Sequence, residues 1–294
     1  MQQSVLVSVF LPVALGIIML GLGLSLVLDD FKRIVKYPKA VGIALICQMI
    51  LLPIICFFIA QGFGLQPALA VGLMLLAASP GGATANLYSH LSNGDVALNI
   101  TLTAVNSILA LFTLPIVINL SLAYFMESDQ YIPMQFAKVA EVFVVVLTPV
   151  AIGMIIRHKA PSFADKMNKP VKILSALFLI LIIAAVTIKE KQLIIDYAGS
   201  IGLPILAFNI LSMAIGYFVP LLFSLKKKQA IAMGMEIGIH NGTLGIYIAL
   251  SVLGSSQMSI PSALYGLLMF FTAAAFGFLV NIGKKPKDVE EATV

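Results

Sequence analysis

The chain alternates long apolar runs with short polar interruptions. Nine runs can be counted, over residues 5–28, 39–60, 67–91, 95–124, 135–157, 172–188, 200–223, 228–253 and 260–282. Most are about 20 residues or longer, enough for a helix to cross a hydrocarbon core of about 30 Å. The interruptions are turn chemistry or charge, such as Gly62-Phe-Gly64, Ser92-Asn-Gly-Asp95 and Lys226-Lys-Lys228. A transmembrane barrel would instead show short alternating segments. The pattern therefore predicts an all-α polytopic membrane protein with nine transmembrane helices.

Two of the runs carry polar residues and helix breakers at membrane depth. In the third, Ser79-Pro-Gly-Gly-Ala-Thr-Ala-Asn86 combines a missing backbone donor with two glycines. In the eighth, Glu236, His240, Asn241 and Thr243 stand among Gly234, Gly238, Gly242 and Gly245. Breaks of this kind free backbone groups, which lipid does not tolerate unless protein or a polar cavity receives them. The order of features also repeats: two plain spans, then a broken one, then another. The units over about 5–124 and 172–282 would have opposite topology. An inverted repeat with one discontinuous helix in each half is a recurrent plan of secondary transporters, with the site at the repeat interface.

Composition sharpens the class. Of 294 residues, 60% are hydrophobic and 11% charged, where soluble domains carry about 25% charged residues. Mean hydropathy is +1.05. The net charge of +5 need not signal nucleic acid. With the N-terminus outside, fifteen of the eighteen lysines and arginines fall in inner loops or the C-terminal tail, leaving Lys138, Lys189 and Lys191 outside. This predicts a multi-pass cell-membrane protein, N-terminus out and C-terminus cytoplasmic, with no cleaved signal peptide. Cys47 and Cys56 lie nine residues apart on one predicted helix, roughly 13 Å and too far for a disulfide.

Glu236 is the one acid far from a predicted interface, and no basic residue is set deep in a span to neutralise it. A carboxylate at that depth costs several kcal/mol and calls for a partner. The partner expected is a bound cation, a proton, or both in turn. Asn86 and the pair Asn99 and Thr103 flank the short 92–95 loop, and the pair, four residues apart, shares a helix face. Carboxylate, amide and hydroxyl oxygens suit a hard monovalent cation, sodium first among them. His240 stands four residues after Glu236, as a cavity-lining group, a structural one, or half of an acid–base couple. A lone histidine is a weak metal signal. Gln48, a single polar residue mid-span, fits an interhelical hydrogen bond better than an ion site by pattern alone. Nucleotide-binding, zinc-protease and serine-hydrolase motifs are absent, so pumping driven by ATP and catalysis have no visible constellation.

These stretches together resemble the bile acid:sodium symporter family. The residues that carry the resemblance are Leu15–Leu26, Pro80-Gly-Gly-Ala-Thr-Ala-Asn86, Gly94–Leu98 with Thr103–Val105, and Glu236-Ile-Gly-Ile-His-Asn241. The resemblance runs from about residue 5 to 282. It implies one domain over 1–294, divided into panel and core sub-bundles. The core would hold 67–124 and 228–253 with parts of 39–60 and 200–223, and two discontinuous helices would cross in it. It implies one sodium site from Asn86, Asn99, Thr103 and Glu236. A second would draw on Gln48, Glu236 and His240. Ala85 stands where a serine is usual, Asn99 where a hydroxyl is, and His240 where glutamine is, so either one or two sodium ions are expected. It also implies import of an organic anion, a bile acid or a small carboxylate such as pantoate or a keto acid, by alternating access. Ala83, Thr84, Asn241, Gly242 and Thr243 would contact it. Alternatives are proton-coupled transport through Glu236 and His240, or an intramembrane enzyme. The expected setting is a monomer or homodimer in lipid, without nucleic acid.

Overall fold

The computed structural model describes residues 9–126, 136–189 and 191–282, which form helices and no strand. The first predicted run begins outside the described residues. Its remainder is α1 (Leu11–Ser25), followed after Val27 by α2 (Leu28–Lys36), bent 64° away. α2 occupies a stretch that hydropathy reads as a separator. Asp30 makes it a helix: its carboxylate accepts from the Val27 amide at 2.8 Å and pairs with Arg33 at 2.7 Å.

The second run is one helical rod, α3 (Pro38–Ile46) and α4 (Leu52–Gly62), joined through a π-helical turn at Cys47–Leu51. Pro53, near the start of α4, has no amide to donate, so the ladder widens just before it. Gln48 lies in that widened turn. The third run is α5 (Pro67–Ala78) and α6 (Ala83–Leu91), separated by Ser79–Gly82. α7 (Val96–Phe125) follows, its N-terminus capped by Asp95, which accepts from the Leu98 amide.

Three long helices come next: α8 (Phe136–Lys159), α9 (Pro161–Lys189) and α10 (Lys191–Leu222). The segment read as the loop 157–172 is largely helical. Pro161 opens α9, where its missing amide is harmless, and Ala164 and Val171 are buried. The Arg157–Asp165 ion pair ties α8 to α9 at this corner. The eighth run is α11 (Lys227–Gly238) and α12 (Gly242–Tyr247), with a π-helical turn at Ile248–Val252. α13 (Ser256–Asn281) completes the fold.

Six of these helices are long and apolar enough to cross a membrane, and seven if the bent α1–α2 pair is one span. α5 and the Gly242–Val252 segment are shorter apolar helices at the two breaks. Large apolar side chains stand exposed, among them Leu120, Phe218, Leu222 and Phe271, as expected of a surface solvated by lipid. The protein is a multi-pass α-helical membrane protein.

Packing follows two large apolar clusters, with a small third of Leu24, Ala164 and Val171. One large cluster gathers α1, α8, α9 and α12 with the middle of α7; the other gathers α3, α4, α10 and α11; α5 and α13 contribute to both. Helices in lipid gain little from burying apolar area against each other, so close backbone approach matters more. Gly23 of α1 lies against the Val150 backbone of α8, and Gly153 of α8 against the Leu20–Leu24 backbone. A side chain on either would collide with main chain.

Candidate functional site

The two breaks cross. α5 stops where Pro80 and the glycines intervene, and α11 stops at Gly238. The extended pieces then pair as a single antiparallel bridge between Gly81 and His240. The Asn241 amide donates to the Pro80 carbonyl at 2.9 Å, and the Gly82 amide to Ile239 at 3.2 Å. Each break thereby satisfies part of what the other leaves unpaired. Asn241 also caps α12, accepting from the Leu244 amide at 3.0 Å.

Glu236 lies one turn before this crossing and is 0% exposed. Thr103 donates to its Oε2 at 2.6 Å and Asn106 to its Oε1 at 3.3 Å. The carboxylate rests on Gly81, where any Cβ would overlap it. Among the described residues no lysine, arginine or histidine pairs with it. The α6–α7 hairpin is held to α11 by the Asp95 amide on the Lys228 carbonyl and by Asn99 Nδ2 on the Ala232 carbonyl, at 2.9 and 2.7 Å. That registry puts Asn99, Thr103 and Asn106 along one face of α7 toward α11. Asn99 Oδ1 and Asn106 Oδ1 are buried without a partner.

The Thr103 hydroxyl has one proton and two acceptors in reach, Glu236 Oε2 at 2.6 Å and the Asn99 carbonyl at 3.0 Å. Turned to Asn99, it leaves oxygen lone pairs facing the carboxylate, as a cation would require.

The residues expected around a second ion do not all converge. Gln48 Nε2 and His240 Nδ1 both reach the Ser79 carbonyl, at 3.2 and 3.1 Å. Glu236 turns the other way, to α7. α11 ends between Glu236 and His240, so the four-residue spacing that would pair them on an unbroken helix no longer applies. His240 is instead stacked on Phe208 and set edge-on to Tyr265, and Asn209 and Tyr265 both donate to the Gly238 carbonyl. A carbonyl only accepts, so Nδ1 carries the proton, and Nε2 is enclosed with no partner. No three His, Cys, Asp or Glu side chains among the described residues could hold a metal together.

On one side of the crossing lies a cavity of about 320 Å³. Thr84, Asn86, Asn241, Gly242 and Thr243 line it, as does His240, with Ile18, Leu87, Val96, Ile100 and Met269 giving it apolar walls. His90, Ser25 and Ser175 are also in its lining, and among the described residues no lysine or arginine is. Asn86 belongs to this cavity, and its Oδ1 has no partner. Ala83 opens α6 here, though its side chain lies outside the described residues.

Sequence reasoning missed Asn106, which lies seven residues after Asn99 and three after Thr103. The helical period would have found it, since these positions share a face. Asn209 and Tyr265 left no comparable signal, because their helices reach Gly238 only through tertiary packing.

Interrupted helices crossing beside a buried, unneutralised carboxylate in a multi-pass membrane protein are the mark of a transporter site. Comparison with known proteins agrees. Residues 12–197, well over half of the chain, match the sodium bile acid symporter family, and the protein belongs to that family, one of transporters and not of enzymes. A probable sodium/metabolite cotransporter of rice plastids, BASS2, is 26% identical over 95% of this chain, which spans 66% of that protein's length. The uncharacterized sodium-dependent transporter YocS of Bacillus subtilis is 26% identical over 89% of the chain and 79% of its own length. The human ileal sodium/bile acid cotransporter is 22% identical over 98% of the chain and 85% of its own.

Proposed function

We propose that the protein is a sodium-coupled symporter that imports an organic monocarboxylate by alternating access. The observation that carries this reading is Glu236: fully buried, hydrogen-bonded by Thr103 and Asn106, and without a basic partner among the described residues. Such a carboxylate needs a counter-charge that arrives from outside the polypeptide. The names of the relatives, sodium cotransporters of metabolites and bile acids, supply the ion.

In this reading sodium sits between Glu236 and the α7 oxygens of Asn99 and Thr103, with Asn86 approaching from α6. The Thr103 proton swings to the Asn99 carbonyl as the ion enters. Neutralised, the carboxylate no longer strains the crossing, and the angle between the two broken helices is fixed. The substrate carboxylate then meets Thr84, Asn241 and Thr243 at the broken ends, where α6 begins with free amides. A cavity lined, among the described residues, by no lysine or arginine favours a single negative charge, and its apolar wall suits a hydrocarbon body. We further propose nine spans in two inverted units, with α1, α8 and α9 as the panel against which the core moves. The N-terminus would be outside and the cavity open to the cytoplasm. Either one ion or two are coupled; His240 stands where the second would bind, and imidazole is a poor sodium ligand.

Reconstituted protein should accumulate a labelled monocarboxylate when an inward sodium gradient is imposed, and not under a potassium gradient of equal size. Equal uptake under both gradients would overturn the sodium coupling.

A further inference from the structure

The helices α1, α8 and α9 meet the rest of the bundle in two unlike ways. On one side of the crossing they stand apart around the large cavity, where Ile18, Gly21 and Ser25 of α1 and Ser175 of α9 face Asn86 of α6 and Ile100 of α7. On the other side they close. Met19 of α1, Val142 and Val146 of α8, Leu111 and Leu114 of α7 and Leu244 of α12 surround a void of about 10 Å³. That is room for no more than one water. Asn241, at the crossing itself, lines both spaces.

The order of residues along α7 fixes the geometry. Val96 and Ile100 line the cavity, Thr103 and Asn106 hold Glu236, and Ser107, Leu111 and Pro115 line the void. At about 1.5 Å per residue, Ile100 and Pro115 lie roughly 22 Å apart along the helix. The cavity and the seal are therefore on opposite membrane sides of the carboxylate.

The seal is apolar, and apolar contact carries no direction. A polar contact fixes where α8 sits on α12. Tyr247, at the end of α12, is 0% exposed and belongs to the apolar cluster that holds Val142, Val146 and Leu244. Its hydroxyl donates to Glu141 Oε1 on α8 at 3.3 Å. The other oxygen of Glu141 accepts from Lys138 Nζ, about one turn earlier on α8, at 2.9 Å. Glu141 lies inside the fifth apolar run, where an acid is costly without partners. It is thus held at one oxygen by its own helix and at the other by α12. Bonds to an ionised acceptor are roughly twice as strong as neutral ones. A phenol that lets go of the carboxylate inside an apolar seal stays unpaired until water enters.

We infer that Tyr247 and Glu141 form a latch that holds panel to core on the side opposite the cavity, and that each transport cycle must release it. Both are positioning residues, since neither belongs to the ion site or the cavity lining. This rests on the panel-and-core motion proposed above and adds what sets the balance between its two end states. A broken latch favours the state open on the far side and leaves both binding sites intact.

The test uses the purified full chain in detergent with a cysteine placed at Ala110, which lines the void and is 4% exposed. Its reaction with a hydrophilic maleimide reports how often the seal opens. Cys47 and Cys56 are buried, and the protein without Ala110→Cys gives the background. Tyr247→Phe removes only the hydroxyl and is expected to speed labelling about tenfold. Glu141→Gln keeps an acceptor without the charge and should speed it less. The two changes together should do no more than Tyr247→Phe alone, because they break one bond. Tyr88→Phe removes a hydroxyl bond to the Phe270 carbonyl, between α6 and α13, and should leave the rate within about twofold. Glu141→Gln, at a side chain 43% exposed, carries the comparison if Tyr247→Phe fails to fold. Unchanged labelling in the folded latch variants, or an equal increase from Tyr88→Phe, would overturn the latch while the motion stands. If no variant labels above background, panel and core do not part there, and the latch and the proposed motion fall together.

Discussion

The two interrupted helices meet at one point, yet they are broken by different means and contribute different things. The first break is covalent in origin. Pro80 cannot donate, Gly81 has no side chain, and what the segment offers the site is backbone and room: carbonyls at Ser79 and Pro80, and space at Gly81 for a carboxylate. The second contains no proline. It is broken by polar capping, with Asn241 closing on the Leu244 amide and the Gly238 carbonyl drawn to Asn209 and Tyr265. It brings the side chains, Glu236 on one flank and His240 on the other. One half forms the socket and the other the charge.

The comparison can be tested from the charged half outward. Glu236→Gln keeps the volume and the hydrogen-bonding shape but removes the charge. Sodium-driven uptake by reconstituted protein should fall about a hundredfold or more, with folding retained. Gly81→Ala attacks the socket. The new methyl overlaps the carboxylate, so a loss of about 1–3 kcal/mol is expected, measured as a lower denaturation midpoint. Combining it with Glu236→Ala should restore most of that loss, since the two groups no longer compete for one space. Additive losses would show that the socket and the carboxylate are independent.

Asn241→Ala removes a cap and should cost about 1 kcal/mol, seen as a drop of a few degrees in melting temperature. Pro80→Ala should be the mildest, within about 0.5 kcal/mol. The cross-bonds at Pro80 and Gly82 use a carbonyl and an amide that alanine leaves in place. If Pro80→Ala proves worse than Asn241→Ala, the first break depends on proline more than on its partner, and the division between the halves is drawn wrongly.

Much of this site was legible beforehand because its signals are local. A proline with two glycines inside an apolar run, and a glutamate with no basic residue at its depth, violate the rules of a plain membrane helix wherever the chain goes in space. Thr103 contacts Glu236 directly, and Asn99, four residues earlier on α7, bonds the Ala232 carbonyl of the same helix as Glu236. Other features lay beyond what hydropathy can read. α2 and the start of α9 are amphipathic, and a scale that rewards only apolar runs sees Asp29-Asp30-Phe-Lys-Arg33 or Pro161–Lys172 as separators. The π-helical turn that holds Gln48 follows from Pro53, five residues on, and no pattern of apolar positions marks it. The parting of Glu236 from His240 was hidden for a related reason. Their spacing suggests one face only while the helix continues, and where it stops is set by groups on α10 and α13.

The account stands most directly on sodium binding at Glu236, independent of substrate and transport. Calorimetric titration of the purified protein with sodium chloride, at constant ionic strength and against potassium, measures it. Saturable heat in the unaltered protein and none for Glu236→Gln is the expected result. The same sodium affinity in both would contradict the claim that this carboxylate finds its counter-charge in the ion.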